Sequence, residues 1–206
     1  MKILGLLAGA ALLLGAQSAY AVTITNGSFE TPTVTDPFIT LAPGDTSMGW
    51  LVGGAGVDQI RNNWQASDGF QSLDMSALAE GSVSQGLSGL TVGQQYTVTF
   101  DMAGNPTGDT KSMEVSAGGI SSLYSFNTAG KTTASMGWAT QTFIFVATAT
   151  TDTLTFLSLT PGSGGPALDN VSIAATPIPG AILLFGSALG GMGFLGYRRK
   201  KLEVAA

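Results

Sequence analysis

The sequence contains no cysteine and no histidine. Without cysteine there is no disulfide, no thiol nucleophile and no Cys-based zinc site. Without histidine there is no triad built on an imidazole base. Charge is scarce as well: Asp, Glu, Lys and Arg make up 10% of the residues, against about a quarter in ordinary soluble domains. Most of the bases are pushed to the ends, Lys2 at one and Arg198, Arg199, Lys200 and Lys201 at the other. Between them only Arg61, Lys111 and Lys131 oppose the acids from Glu30 to Asp169, three bases against twelve acids and a net charge of −9. Nucleic-acid phosphates need Lys and Arg, so this middle segment has no means of binding DNA or RNA. What is plentiful is glycine, 29 residues, with Ser and Thr at most polar positions. That composition suits turns and Thr-rich strands.

Both ends read as addresses. Residues 1–21 begin with Lys2, continue through an apolar run from Ile3 to Ala16 and finish in Ala19-Tyr20-Ala21. Small residues at −3 and −1, Ala19 and Ala21, mark a signal-peptide cleavage site, so an exported chain starting at Val22 is expected. The run is shorter than the ~18 residues a spanning helix requires. At the other end, residues 175–206 hold Pro177-Ile178-Pro179, an uncharged stretch from Ile178 to Tyr197 and then the four bases. Twenty residues of helix cover about 30 Å, the thickness of a bilayer core. A basic block after such a run stays on the cytoplasmic side, which places the preceding domain outside the inner membrane.

The segment between, residues 22–174, reads as all-β. In Gln95–Ala103 the residues Tyr96, Val98, Phe100 and Met102 alternate with Thr97, Thr99 and Asp101, the period of a half-buried strand. Trp138–Ala149 and Thr153–Leu159 are β-branched and aromatic, and shorter runs lie at 70–75, 82–87, 112–117, 122–126 and 167–173. Turn signals separate them at Leu90–Gly93, Gly104–Pro106 and Pro161–Gly165. Short strands at regular spacing predict a jelly-roll β-sandwich. "SMGW" occurs at Ser47–Trp50 and Ser135–Trp138, and is read as two strand starts carrying a core Trp.

Three kinds of chemistry are open to this domain. A glycan-active enzyme would need paired carboxylates, and Asp58, Asp68, Asp74 and Asp101 are the candidates. A carbohydrate-binding module would use an aromatic face with amide, carboxylate and guanidinium side chains. The segment from Asp58 to Asp68 gathers Asp58, Arg61, Asn63, Trp64, Gln65 and Asp68. A display or adhesion protein needs only export and an anchor. The third is the principal expectation, a non-catalytic exported surface or matrix protein; carbohydrate binding is the first alternative and a carboxylate enzyme the second.

The tail, Pro177-Ile178-Pro179-Gly180-Ala181 followed by the apolar run and the Arg198–Lys201 block, resembles a PEP-CTERM sorting signal of the VPLPA type. That resemblance implies a Gram-negative bacterium, with an exosortase as processing partner and the cell surface or extracellular matrix as destination. Thr176 stands where Val is usual, Gly180 interrupts the Pro-Ala pairing, and Leu202–Ala206 extend past the bases. "NGSFE" near the start, Gly49-Trp50, the block from Val57 to Ser76 and "PALDNVSI" at the end resemble the choice-of-anchor C family. This implies a galactose-binding-like sandwich with no established enzymatic activity and a poorly defined ligand, polysaccharide being one candidate partner. Carbohydrate-binding modules similar to this domain often bind Ca²⁺ with an early Glu and a late Asp, here Glu30 and Asp169.

Overall fold

The computed structural model describes residues 22–176. The cleavage residues Ala19 and Ala21, and the sorting residues Pro177, Pro179, Arg198, Arg199, Lys200 and Lys201, lie outside the described residues. The described residues hold β1 (Phe38–Leu41), β2 (Leu51–Gly54), β3 (Val57–Ile60), β4 (Ser72–Asp74), β5 (Gly81–Ser88) and β6 (Gln95–Gly104). They continue with β7 (Thr110–Ala117), β8 (Ile120–Asn127), β9 (Ala139–Val146), β10 (Thr151–Ser158) and β11 (Pro166–Ala175). One antiparallel sheet runs β1-β3-β4-β11-β6-β9 and the other β2-β5-β10-β7-β8, a two-sheet sandwich.

β6 shows why these residues make this fold. Tyr96, Val98, Phe100 and Met102 are buried against the opposite sheet, as their alternation demands. Phe100 meets Phe156 of β10 and Tyr124 of β8 edge-on, each at 5.1 Å between ring centroids. Trp50 and Phe29 extend the aromatic contacts from Phe156 toward the start of the domain. Burying each such ring contributes roughly 1.5–3 kcal/mol. Both "SMGW" tryptophans do precede strands: Trp50 enters the main core before β2, and Trp138 packs against a second cluster before β9.

The first and last parts of the domain meet. The Val171 amide donates to the Gly27 carbonyl, and a Cβ at Gly27 would strike the Val171 carbonyl. β11 carries a bulge between Asp169 and Ser172, with Asn170 at φ 50°. The extra residue leaves Asn170 exposed beside Asp169 and returns Val171 to the core.

β1, β2 and β3 were not legible as strands from their composition. β2 is Leu-Val-Gly-Gly and β3 Val-Asp-Gln-Ile, four residues each. Four residues give too short a period to separate strand from loop.

Candidate functional site

The outer face of the six-stranded sheet is built in rows by strand register. Thr40 pairs with Asp58, Asp58 with Asp74, Asp74 with Ala167 and Ala167 with Ala103. One residue row away, Phe38 pairs with Ile60 and Ile60 with Ser72, while Asp169 pairs with Asp101 and Asp101 with Thr140. Ile60, Ala103 and Ala167 would leave an apolar strip in water. Trp64 and Met136 fold over it and make a second buried cluster, with Trp138 against its side.

This placement corrects the expectation for Trp64. Its side chain is 5% exposed and its Nε1 donates to Ser72 Oγ at 2.8 Å. The ring seals the sheet and offers no face to a sugar. The physical reason is the apolar strip beneath it, which a Trp covers better than any neighbour in the segment.

The rest of that segment is tied down at several points. Asp169 Oδ2 accepts the Ser67 and Asp68 amides at 2.8 and 2.9 Å. Glu30 Oε1 accepts the Phe70 and Gln71 amides, both at 2.7 Å. Gly69 lies between, at φ 64°, where a Cβ would stand 2.5 Å from Glu30 Oε1. Ser28 Oγ donates to Asp68 Oδ2, and Ser67 Oγ to Asp101 Oδ2. The Gln65 carbonyl accepts the Trp138 indole N–H at 2.9 Å. Arg61 lies over the Phe70 ring at 5.7 Å and reaches Gln71 Oε1 at 3.5 Å. Arg61, Gln65 and Asp68 therefore shape and hold this loop.

The expected Ca²⁺ pair converges on this same loop. Asp169 receives a third amide, from Asn170, on Oδ1. These oxygens face N–H donors, whereas Ca²⁺ needs six to eight oxygens turned toward one point. Among the described residues no three acids are grouped to hold a metal ion. Glu30 and Asp169 are arranged as a loop clamp, with three of their four carboxylate oxygens on backbone amides. Burial pushes the Asp169 carboxyl up to about 7, against the pull of its three amide partners. Burial also pushes Asp101 upward, but hydrogen bonds from Ser67, Thr140 and Asn170 outweigh it and hold that carboxyl below its usual value.

Beside the sealed strip is an open pocket of about 440 Å³. Its floor is the Thr40–Asp58–Asp74 row. Asn63 comes from the covering loop, Asn105 and Thr107 from the β6–β7 connection, and Gly164 from the β10–β11 connection. Two apolar side chains stand at its rim, Phe38 at 47% exposed and Leu78 at 77%. Thr40 Oγ1 donates to Asp58 Oδ1 at 2.6 Å. Asp74 accepts the Gly165 and Ser76 amides on Oδ1 and Asn105 Nδ2 on Oδ2. Burial raises both carboxyls above the ordinary value, and the charge of Asp58 adds to the rise at Asp74.

Of the six residues expected to contact glycan, the structure brings Asp58 and Asn63 into this pocket. Of the four candidate carboxylates, it pairs Asp58 with Asp74, and places Asp68 and Asp101 around Ser67 on the other side of the strip. Phe38, Thr40, Leu78, Asn105 and Thr107 were missed, because only the register and the loop paths bring them to Asp58.

Comparisons place this geometry in context. Residues 22–174 match the family described as "Protein of unknown function (DUF642)". Halomucin of Haloquadratum walsbyi is 30% identical over 190 residues, covering 87% of this chain. The chain spans only 2% of halomucin's length. Among solved structures, TmCBM61 in complex with β-1,4-galactotriose has a TM-score of 0.50 at 20% identity, covering 74% of this chain and 97% of that one. A family 35 carbohydrate-binding module from Clostridium thermocellum has a TM-score of 0.46 at 13% identity, covering 68% and 98%. At such identities the likeness to TmCBM61 shows the fold alone: this is a β-sandwich like that of a carbohydrate-binding module.

Proposed function

The chain belongs to the DUF642 family, and from that premise we propose that it is an exported, non-catalytic carbohydrate-binding protein. The observation that carries the proposal is the pocket on the outer face of the six-stranded sheet, where Asp58, Asn63, Asp74 and Asn105 converge beneath Phe38 and Leu78. Concave sites with apolar walls and a few fixed polar groups are the ordinary form of a small-ligand site. Sugar hydroxyls donate to carboxylate and amide oxygens, and the C–H face of a pyranose packs on an exposed ring such as Phe38. The fold shared with a module that holds β-1,4-galactotriose supports this reading.

Display at a cell surface or matrix is the natural setting of such a domain. The leader 1–21 would export it. The tail 175–206 would hold it at the inner membrane until an exosortase processed it. An extracellular location is also supported by the likeness to halomucin.

The test is calorimetric titration of the purified full-length protein with a panel of neutral oligosaccharides. Binding to at least one, weakened tenfold or more by Asp58→Ala and by Asn63→Ala, is the expected result. A panel without any binding, or binding indifferent to both substitutions, would sink the proposal.

A further inference from the structure

The pocket holds free anionic and carbonyl acceptors. Asp58 Oδ2 takes no hydrogen bond from the described residues, its partner oxygen being the one held by Thr40. Asn105 Nδ2 gives one N–H to Asp74 Oδ2, and the side-chain carbonyl oxygen of Asn105 takes no hydrogen bond from the described residues. Thr107 Oγ1 accepts from Lys111 Nζ at 2.8 Å and donates to Asp109 at 2.7 Å. The pocket therefore offers a ligand free acceptors at Asp58 Oδ2 and the Asn105 side-chain carbonyl, beside the amide donors of Asn63 and Asn105.

Its charge is one-sided. No Lys or Arg among the described residues lines it. The cation nearest in the chain to its lining residues, Arg61 beside Ile60, turns its guanidinium to the Phe70 ring and Gln71 Oε1; Lys111, the next nearest, is buried at 2% exposure. Its ammonium is committed to Asp109 at 2.8 Å and to Thr107. Two carboxylates thus share a half-enclosed pocket without a counter-ion among the described residues, and both are pushed toward the neutral form by burial. A cation arriving with the ligand would relieve that cost, and a second anion would increase it.

We propose that the pocket selects its sugar by charge, taking an amine-bearing residue in preference to the same sugar N-acetylated, and turning away uronates. An ammonium brings three donors to the pocket's carboxylate acceptors, and a charge-assisted bond to Asp58 Oδ2 is the strongest contact available there. The proposal rests on the carbohydrate-binding reading of the same pocket.

Calorimetric titration of the full-length protein tests it, in about 0.15 M salt so that the diffuse negative field of the domain is screened. The probes are tetramers of β-1,4-linked glucosamine, β-1,4-linked N-acetylglucosamine and α-1,4-linked galacturonate. The expected result is glucosamine binding about tenfold tighter than N-acetylglucosamine, the size of one charge-assisted hydrogen bond, and no binding of galacturonate. Asp58→Asn, checked for an unchanged unfolding midpoint, should collapse that ratio to under about twofold. Asp74→Asn provides a second reading if Asp58→Asn is poorly folded. Glu114→Gln removes a charge on the opposite sheet, where Glu114 accepts from Ser121 Oγ, and should leave the ratio intact. Equal affinity for the amine and acetylated tetramers overturns charge selection while the carbohydrate reading stands. So does a ratio that survives Asp58→Asn or that Glu114→Gln also abolishes. If these and the neutral oligosaccharides all fail to bind, the carbohydrate reading falls with it.

Discussion

Glu30 and Asp169 hold two ends of one loop. Glu30 takes the Phe70 and Gln71 amides, and Asp169 takes those of Ser67 and Asp68. One residue comes from the start of the domain and the other from its last strand. The loop they secure carries Asn63 to the pocket and Trp64 over the sheet.

Asp169→Ala leaves the Ser67, Asp68 and Asn170 amides without their acceptor. Unpaired, partly buried donors cost about 1–3 kcal/mol in total at such a site, offset in part by removal of a buried carboxylate. A lower urea midpoint is expected, with faster amide exchange confined to residues near 65–71. Acting as a clamp of amides on carboxylates, the pair should give the same thermal midpoint in millimolar Ca²⁺ and in chelator. A midpoint raised by Ca²⁺ and restored by chelator would reinstate Glu30 and Asp169 as ligands.

Trp64→Ala should act on stability. Removing a buried Trp costs about 3–5 kcal/mol, and Ser72 Oγ loses its donor as well. Denaturant unfolding measures this directly. A variant with wild-type stability would mean that Trp64 does not seal the sheet.

Phe38→Ala should do the reverse. Phe38 stands at the pocket rim and is half exposed, so its loss should change stability by no more than about 0.5 kcal/mol. Oligosaccharide affinity should fall several-fold if the ring packs on a sugar. Unchanged affinity would remove Phe38 from the site.

The pocket carboxylates give stability and binding opposite pH trends. Asp58 and Asp74 titrate above the unfolded value of 3.8 because burial disfavours their charge. The folded state thus holds these protons more tightly than the unfolded one. Their contribution to stability is fully present below 3.8 and is lost as pH rises through the raised folded values. Asp169 adds the same trend up to about 7. Ligand hydroxyls and amines bind the ionised form, so affinity should fall as pH is lowered while these contributions strengthen. Unfolding midpoints and titrations across mildly acidic to neutral pH check both. Asp74→Asn, with the Asn105 amide turned over, should flatten its share of the stability trend.

The sequence by itself settled the class of the fold. Alternating apolar and hydroxyl residues in β6, and aromatic runs in β9 and β10, have one stable arrangement, strands with a buried face. Absence of Cys and His removed whole chemistries before any coordinate was known. The segment 58–68 was marked as unusual because its polar and aromatic residues are contiguous, and it does border the pocket.

Tertiary structure alone decided which of those residues face a ligand. Asp58 and Asp74 lie far apart along the loop path, and antiparallel pairing puts them side by side. Thr40 joins by the next ladder, and Asn105 by a loop from the far side of the sheet. Trp64, the residue most like a sugar platform in sequence, went inside because Ile60, Ala103 and Ala167 needed a cover. A local pattern records what a side chain is made of. Whether it meets water depends on what the neighbouring strands place beneath it, and that is a non-local property set by register.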